Sequence, residues 1–101
     1  MAIAEATIVP LGTGSTSVSK YVADCHKILQ NDTRVKHQLT PMGTVLEGDL
    51  DVILEMVRKM HEVPFDNGAM RVITSIRIDD RRDLAASMSQ KLRSVKEKLD
   101  T

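Results

Sequence analysis

Alternating apolar and polar residues mark four segments of this 101-residue chain as β-strands. The strongest pattern covers residues 70–79, where every second residue from Val72 to Ile78 faces one side. Residues 2–9 alternate in the same way, with small alanines on one face that allow helices to pack closely above them. Two shorter strands are predicted at residues 34–40 and 44–47, joined by a tight or bulged connection.

A helical period predicts three helices between and after these strands. The first covers residues 17–30, the second begins at Asp49 or Asp51, and the third follows an Asp83 cap. Pro64 is expected to disturb the second helix near its end, and an Asn-Gly pair at 67–68 stops it. The third helix carries a seam of apolar residues, namely Leu84, Met88, Leu92, Val95 and Leu99.

The resulting order is strand, helix, strand, strand, helix, strand, helix, which is a repeated split β-α-β unit with an added C-terminal helix. We therefore predict one α+β domain over residues 1–101, with a four-stranded antiparallel sheet and its first and third strands in the middle. Two helices cover one face. The other face mixes polar and apolar residues, so we expect it to pack on the sheet of a second copy, giving a dimer and then a tetramer. The residues of this second, uncovered face are Ile3, Glu5, Thr7, Val9, Arg71, Ile73, Ser75 and Arg77.

Composition narrows the classes of function. Fourteen basic residues balance fourteen acidic ones, and no predicted strand carries an aromatic residue, so nucleic-acid binding is not expected. No apolar run approaches the roughly 20 residues that span a bilayer, and no secretory signal precedes the first strand. Cys25 is the only cysteine, which suits a reducing compartment, and we expect a cytoplasmic protein.

A glycine-containing turn at residues 12–17, here called the 12–17 turn, links the first strand to the first helix. Gly12 and Gly14 allow backbone angles that side chains disfavour, and Ser15, Thr16 and Ser17 are good helix N-caps. The turn lacks the Gly-Lys-Ser/Thr ending of a P-loop and the third glycine of a dinucleotide site. It is either a small polar pocket or simply a well-capped turn.

Catalytic and metal sites are poorly supported. Serines 15 and 17 have no evident base, and the three histidines fall on separate elements with no shared location implied. Glu5 and Glu47 could act as acid and base, but we expect no enzyme, no metal and no cofactor.

The residues favour a pocket for a small polar molecule between the 12–17 turn, residues 42–47 and the polar sheet face. A carboxylate such as Glu47 or Glu5 would suit an aminopyrimidine or a cationic ring.

Three motifs resemble the small thiamine-binding family, long known as a domain of unknown function and related to the YkoF-type binders. They are PLGTGSTSVS at residues 10–19, MGTVLEG at 42–48 and RVITSIRIDDRRD at 71–83. The resemblance implies a ferredoxin-like fold, assembly as a dimer of dimers, and binding of thiamine or its hydroxymethylpyrimidine part without catalysis.

The same resemblance implies which residues contact the ligand. Thr13, Ser15 and Ser17 match the first motif, and Gly43, Thr44 and Glu47 match the second; Asp79, Asp80 and Arg81 match the third. We hypothesise that Glu47 binds the aminopyrimidine while the hydroxyl residues complete the polar contacts. The alternative is a structural or regulatory homo-oligomer whose sheet face is only a subunit interface.

Overall fold

The computed structural model describes residues 1–14, 19–83 and 88–99. Four strands and three helices alternate in the predicted order. The strands are β1 (Ala2–Leu11), β2 (Lys36–Thr40), β3 (Gly43–Gly48) and β4 (Arg71–Asp79), and the helices are α1 (Ser19–Gln30), α2 (Leu50–Asp66) and α3 (Met88–Leu99).

The strands form one antiparallel sheet in the order β2-β3-β1-β4, which confirms the predicted α+β, ferredoxin-like class and its two central strands. Ile3 is the Cα partner of Glu47 on β3 and of Asp79 on β4, while Ala6 is the partner of Thr44 and Ile76. This register decides which side chains share a face, because residues directly opposite one another in an antiparallel sheet point the same way.

The core lies between the sheet and the helices α1 and α2. The three alanines of β1 that face the helices are almost fully buried, and their small size lets the long side chains of α2 approach the sheet. The buried residues packed there are Ala2, Ala4, Ala6, Cys25, Leu29, Val35, Leu46, Ile53, Met56, Val57, Met60 and Val63. Burial of their apolar surface supplies the main stabilisation of this layer.

The opposite face of the sheet, here called the open face, carries the mixture of residues predicted from alternation. Glu5 is the Cα partner of Arg77, Thr7 is the partner of Ser75, and Val9 is the partner of Ile73. Ile73 is half exposed, and polar residues lie beside it on this face.

Helix α2 passes through Pro64 and ends two residues later. Proline has no N–H to donate to the carbonyl four residues earlier, which is that of Met60. The Cys25 thiol donates to this carbonyl oxygen at 3.5 Å, so the freed acceptor has a partner inside the core. The predicted stop is confirmed, because Asn67 and Gly68 close the helix with backbone hydrogen bonds to residues 63–65.

Helix α3 carries the predicted seam but does not bury it. Leu92, Val95 and Leu99 are each more than half exposed, and no residue of α3 is buried within the described chain. Lys91 forms an ion pair with Asp79 at the end of β4. Leu84 of the predicted seam lies outside the described residues. None of the helices in the described ranges combines the length and apolar character needed to cross a bilayer.

Candidate functional site

A cavity of about 310 Å³ opens on the helix side of the sheet, where the second half of β1 meets the hairpin of β2 and β3. We call it the hairpin cavity. It lies beneath α1 and reaches Met60 of α2. The lining residues are Ala6, Thr7, Ile8, Val9, Val22, Cys25, Leu39, Thr40, Pro41, Met42, Gly43, Thr44 and Met60. None of these side chains carries a charge, so the cavity suits a neutral, largely apolar group with a few hydrogen bonds.

Two threonines fix the hairpin that forms one wall. The Thr40 hydroxyl donates to the Gly43 carbonyl at 2.9 Å and accepts from the N–H groups of Met42 and Gly43 at 3.3 and 3.1 Å. The Thr7 hydroxyl donates to the Met42 carbonyl at 3.3 Å, which joins the turn to β1. The Met42 side chain remains 78% exposed beside the cavity, and its flexible thioether can adapt to a bound ring.

Cys25 lines the cavity but is not a nucleophile in this setting. Burial, aided by the negative charge of Asp24, raises the pKa of its thiol to about 11. The group is therefore protonated at neutral pH and available to donate to Met60. Its role is therefore structural.

The structure brings only part of the predicted site to this cavity. Gly43 and Thr44 line it, and Thr44 is buried. Thr13 lies half-buried in the turn that follows β1 and is not among the lining residues. Ser15 and Ser17 lie outside the described residues.

Glu47 lies on the open face, at the other end of the sheet. Its Cα partner is Ile3, near the start of β1, whereas Thr13 follows Leu11 at the end of that strand. At about 3.3 Å per residue, the eight steps along the strand from Ile3 to Leu11 span roughly 26 Å. Thr13 and Glu47 therefore share no niche within one chain. The Glu47 side chain is nonetheless only 4% exposed, although a carboxylate normally needs a partner when buried.

The charged run after β4 folds back on itself. Arg81 pairs with Asp83 at 2.7 Å and Arg82 pairs with Asp80 at 2.9 Å. The arginines lower the pKa values of both aspartates through these hydrogen bonds. With Met1, Ala2 and Leu50 they border a wide, shallow hollow of about 490 Å³. Because each of the four charges has its partner within the chain, this hollow offers less to a ligand than the hairpin cavity does.

Two residues that sequence reasoning treated as unrelated are neighbours. His26 of α1 and His37 of β2 meet with ring centroids 4.8 Å apart and planes at 77°. Eleven residues and a change of element separate them, so no periodicity could have placed them together. No cluster of three metal-ligating residues forms in the ranges that the structure describes.

Comparison with known proteins places this chain in a defined group. A family model described as "Thiamine-binding protein" matches residues 4–96. The chain belongs to the thiamine-binding protein family. Relatives at high identity are the UPF0045 protein YqgV of Bacillus subtilis, 49% identical over 98% of both chains, and a UPF0045 protein of Methanothermobacter thermautotrophicus, 45% identical over 98% of this chain and all of its relative.

Solved structures agree with the family and with the fold. The hypothetical protein MJ1052 of Methanocaldococcus jannaschii superposes with a TM-score of 0.84 at 40% identity, covering 95% of this chain and 96% of its own. A proposed thiamine biosynthesis or salvage protein of Thermotoga maritima superposes with a TM-score of 0.76 at 15% identity, covering 93% and 97% of the two chains. At that low identity the second likeness supports the fold alone.

Proposed function

We propose that this family member binds thiamine, or its hydroxymethylpyrimidine part, in the hairpin cavity and leaves it chemically unchanged. The observation that supports this most is the cavity itself, an uncharged recess of about 310 Å³ formed by the family's Met-Gly-Thr segment and α1. We further propose a cytoplasmic location, which suits a chain whose single cysteine is a free, buried thiol.

The size and lining of the cavity favour the pyrimidine end of the ligand. Its volume lies at the small end of the roughly 300–1,000 Å³ typical of small-molecule pockets. A flat, neutral ring can bury itself between Val22, Leu39 and Met60. A thiazolium or a phosphate carries charge, and burying charge without a partner is unfavourable, so those parts would remain at the mouth.

We assign the polar contacts to the residues nearest the cavity. The Thr44 hydroxyl faces the helix side with Ala6, and the absence of a side chain at Gly43 leaves its backbone close to β1. The family resemblance adds Thr13, Ser15 and Ser17 as further proposed contacts. Glu47 faces away from this cavity, so within one chain it cannot bind the same ring.

Calorimetric titration with thiamine, hydroxymethylpyrimidine and their phosphates tests the proposal. Thr44→Val keeps the side-chain shape but removes one hydrogen bond, so we expect affinity for the pyrimidine to fall about five- to tenfold. Glu47→Gln is the matched control on the other face and should leave the affinity unchanged. Loss of binding in Glu47→Gln with none in Thr44→Val would move the site to the open face. Failure of all four ligands to bind would overturn the proposal.

A second role, self-assembly, is favoured by the exposed apolar seam of α3 and by the half-apolar open face. We propose a dimer of dimers, in which both surfaces are covered by further copies. If assembly were the whole function, none of the four ligands would raise the unfolding temperature. A true ligand at 100 times its dissociation constant stabilises the protein by about 2.7 kcal/mol, which a thermal-shift screen detects readily.

A further inference from the structure

His26 and His37 form a contact between α1 and the outer strand of the sheet. Their rings meet edge to face with centroids 4.8 Å apart. Each residue is next to part of the hairpin cavity: Cys25 precedes His26 on α1, and Leu39 follows His37 by two positions on the same face of β2. The ring pair therefore joins the two elements that close one side of the cavity.

The pair is partly buried, and one of its ring nitrogens is unpaired within the described residues. The Nδ1 atom of His26 is buried, and it has no hydrogen-bond partner in the part of the chain that the structure describes. A proton added there would create a buried N–H donor without an acceptor, which is unfavourable. Burial, and secondarily the neighbouring His26, lowers the pKa of His37 below its ordinary value.

The charged groups of the neighbouring elements are engaged elsewhere or face away. On α1, Asp24 pairs with Lys27 and accepts from Asn67, and Lys20 is exposed. Lys36 of β2 and Glu47 of β3 are Cα partners on the open face, opposite to His37.

On α2, Glu55 pairs with Arg34, Arg58 pairs with Glu62, and Lys59 is exposed. Within the described ranges the ion pairs that these elements form leave neither imidazole a carboxylate partner. A protonated ring therefore gains no ion pair with a carboxylate among the described residues.

We propose that His26 and His37 act as a pH-sensitive contact, which holds α1 against β2 while both rings are neutral and loosens this wall of the hairpin cavity when either ring takes up a proton. The rings then carry charge in a half-buried place that lacks an anion, and two protonated rings repel each other.

The direction of the pH effect follows from proton linkage. Because the folded chain binds a proton at His37 less readily than the unfolded chain does, stability is complete above the ordinary histidine pKa of about 6.5. It decreases as the pH falls below that value, since the unfolded state takes up protons first. Acid therefore weakens the contact, and neutral pH restores it.

Proton NMR of the three histidine ring signals on chelator-treated protein tests the coupling directly. Single His→Gln variants assign the signals. Replacing His26 should raise the titration midpoint of His37, because the neighbouring ring helps to lower the His37 pKa. His61→Gln is the matched control and should leave the His37 midpoint unchanged, because His61 instead contacts Thr74 and Phe65. A His37 midpoint that stays the same when His26 is replaced would overturn the proposal.

A second measurement covers the case in which one variant folds poorly. His37→Phe keeps an aromatic ring against His26 but does not titrate, so its unfolding temperature should fall less between pH 7.5 and pH 5.5 than that of the unaltered protein. Equal falls would contradict a role for this pair in acid sensitivity.

The consequence for the ligand rests on the proposed function. Hydroxymethylpyrimidine should bind more weakly at pH 5.5 than at pH 7.5, and His37→Phe should reduce that difference. If the molecule binds at neither pH while the histidine midpoints remain coupled, the proposed function fails and the pH-sensitive contact stands. Binding that is equally tight at both pH values, after correction for protonation of the pyrimidine, would show that the cavity wall does not respond to the pair.

Discussion

At the scale of single residues, the Cys25 thiol donates a hydrogen bond to a helix carbonyl that in most helices accepts from a backbone N–H. Pro64 deprives the Met60 carbonyl of its usual donor, and the Cys25 thiol supplies another at 3.5 Å. The raised pKa of this buried thiol keeps its proton in place at neutral pH. Cys25 therefore links α1 to α2 as well as filling space in the core.

Removing the thiol should destabilise the fold more than its size implies. We expect Cys25→Ala to lower the free energy of unfolding by about 2 kcal/mol, because it leaves a small void and an unpaired buried carbonyl. Cys25→Ser retains a donor and should lose less. Urea unfolding measures both, and equal losses for alanine and serine would show that the thiol does not act as a donor.

The proline supplies a further check on this bond. In a Pro64→Ala background the new N–H can donate to Met60 in the ordinary helical way. The additional effect of Cys25→Ala should then shrink by at least about 0.5 kcal/mol, a measurable departure from additivity. Strict additivity would mean that the thiol and the proline are unrelated.

The two glycines that bound β3 differ in how closely other atoms approach. A Cβ at Gly43 would lie 2.9 Å from the Ala6 carbonyl oxygen and 3.0 Å from the Thr7 hydroxyl, whereas a Cβ at Gly48 would lie 3.2 Å from the Arg34 carbonyl oxygen. We expect Gly43→Ala to cost about 1–3 kcal/mol of stability, since β1 must shift. Gly48→Ala is the milder control, and a larger loss there would contradict the packing argument.

At the scale of elements, an arginine joins the start of β2 to α2. Arg34 donates to Asp32 through its side chain and its backbone N–H, and also to Glu55 of α2. These hydrogen bonds, chiefly those from the Arg34 side chain, lower the pKa of Asp32 to about 2. The carboxylate form is thus the one that the fold prefers.

Because the fold prefers the charged form of Asp32, acid is expected to lower stability by neutralising this carboxylate. At the histidine pair, by contrast, acid lowers stability by adding a charge. The stabilisation by Asp32 is complete above its unfolded pKa of about 3.9 and is lost as the pH falls through about 2. Arg34→Gln should raise the Asp32 pKa towards its ordinary value, measured by carboxyl carbon NMR, and its stability deficit should shrink between pH 4 and pH 2. Arg58→Gln, whose partner Glu62 lies on the same helix, should leave the Asp32 titration unchanged.

Strand faces could be predicted from the sequence because alternation is a local property. The alanines of β1 and every second residue of β4, from Val72 to Ile78, face the helices as their spacing indicates. The preferred handedness of crossover connections allows only a few orders for four strands, so the strand order of the sheet could be predicted once the elements were known. Gly43 and Thr44 likewise lie on the turn and strand where the pattern put them, beside a cavity.

The remaining errors arise where register or contact between distant elements decides the outcome. Whether Thr13 and Glu47 meet depends on the register between β3 and β1, and the alternation pattern of a single strand does not contain that information. The neighbourhood of His26 and His37 depends on where α1 crosses β2. Pro64 breaks a local rule and is tolerated because a residue 39 positions earlier in the chain compensates it.

At the scale of the whole molecule, the described chain is longer than a compact domain of its size. Its radius of gyration is 15.1 Å and its extents are 48 × 29 × 20 Å, whereas about 13 Å is typical for 100 residues. The seam of α3 remains exposed along this length. A chain with so few aromatic residues has a modest core of its own, so further burial through assembly would add substantially to its stability.

The seam of α3 offers the sharpest test of the proposed dimer of dimers. Leu92 and Val95 lie three positions apart and project from the same side of the helix, which makes them suitable anchors for another copy. We expect Leu92→Glu to lower the assembly state, measured by sedimentation equilibrium, because a charge in an apolar contact is unfavourable. Ser94→Glu places the same charge away from the seam and should leave the mass unchanged. A single-chain mass for the unaltered protein at micromolar concentration would contradict assembly, and a tetramer that survives Leu92→Glu would place the contact on the open face instead.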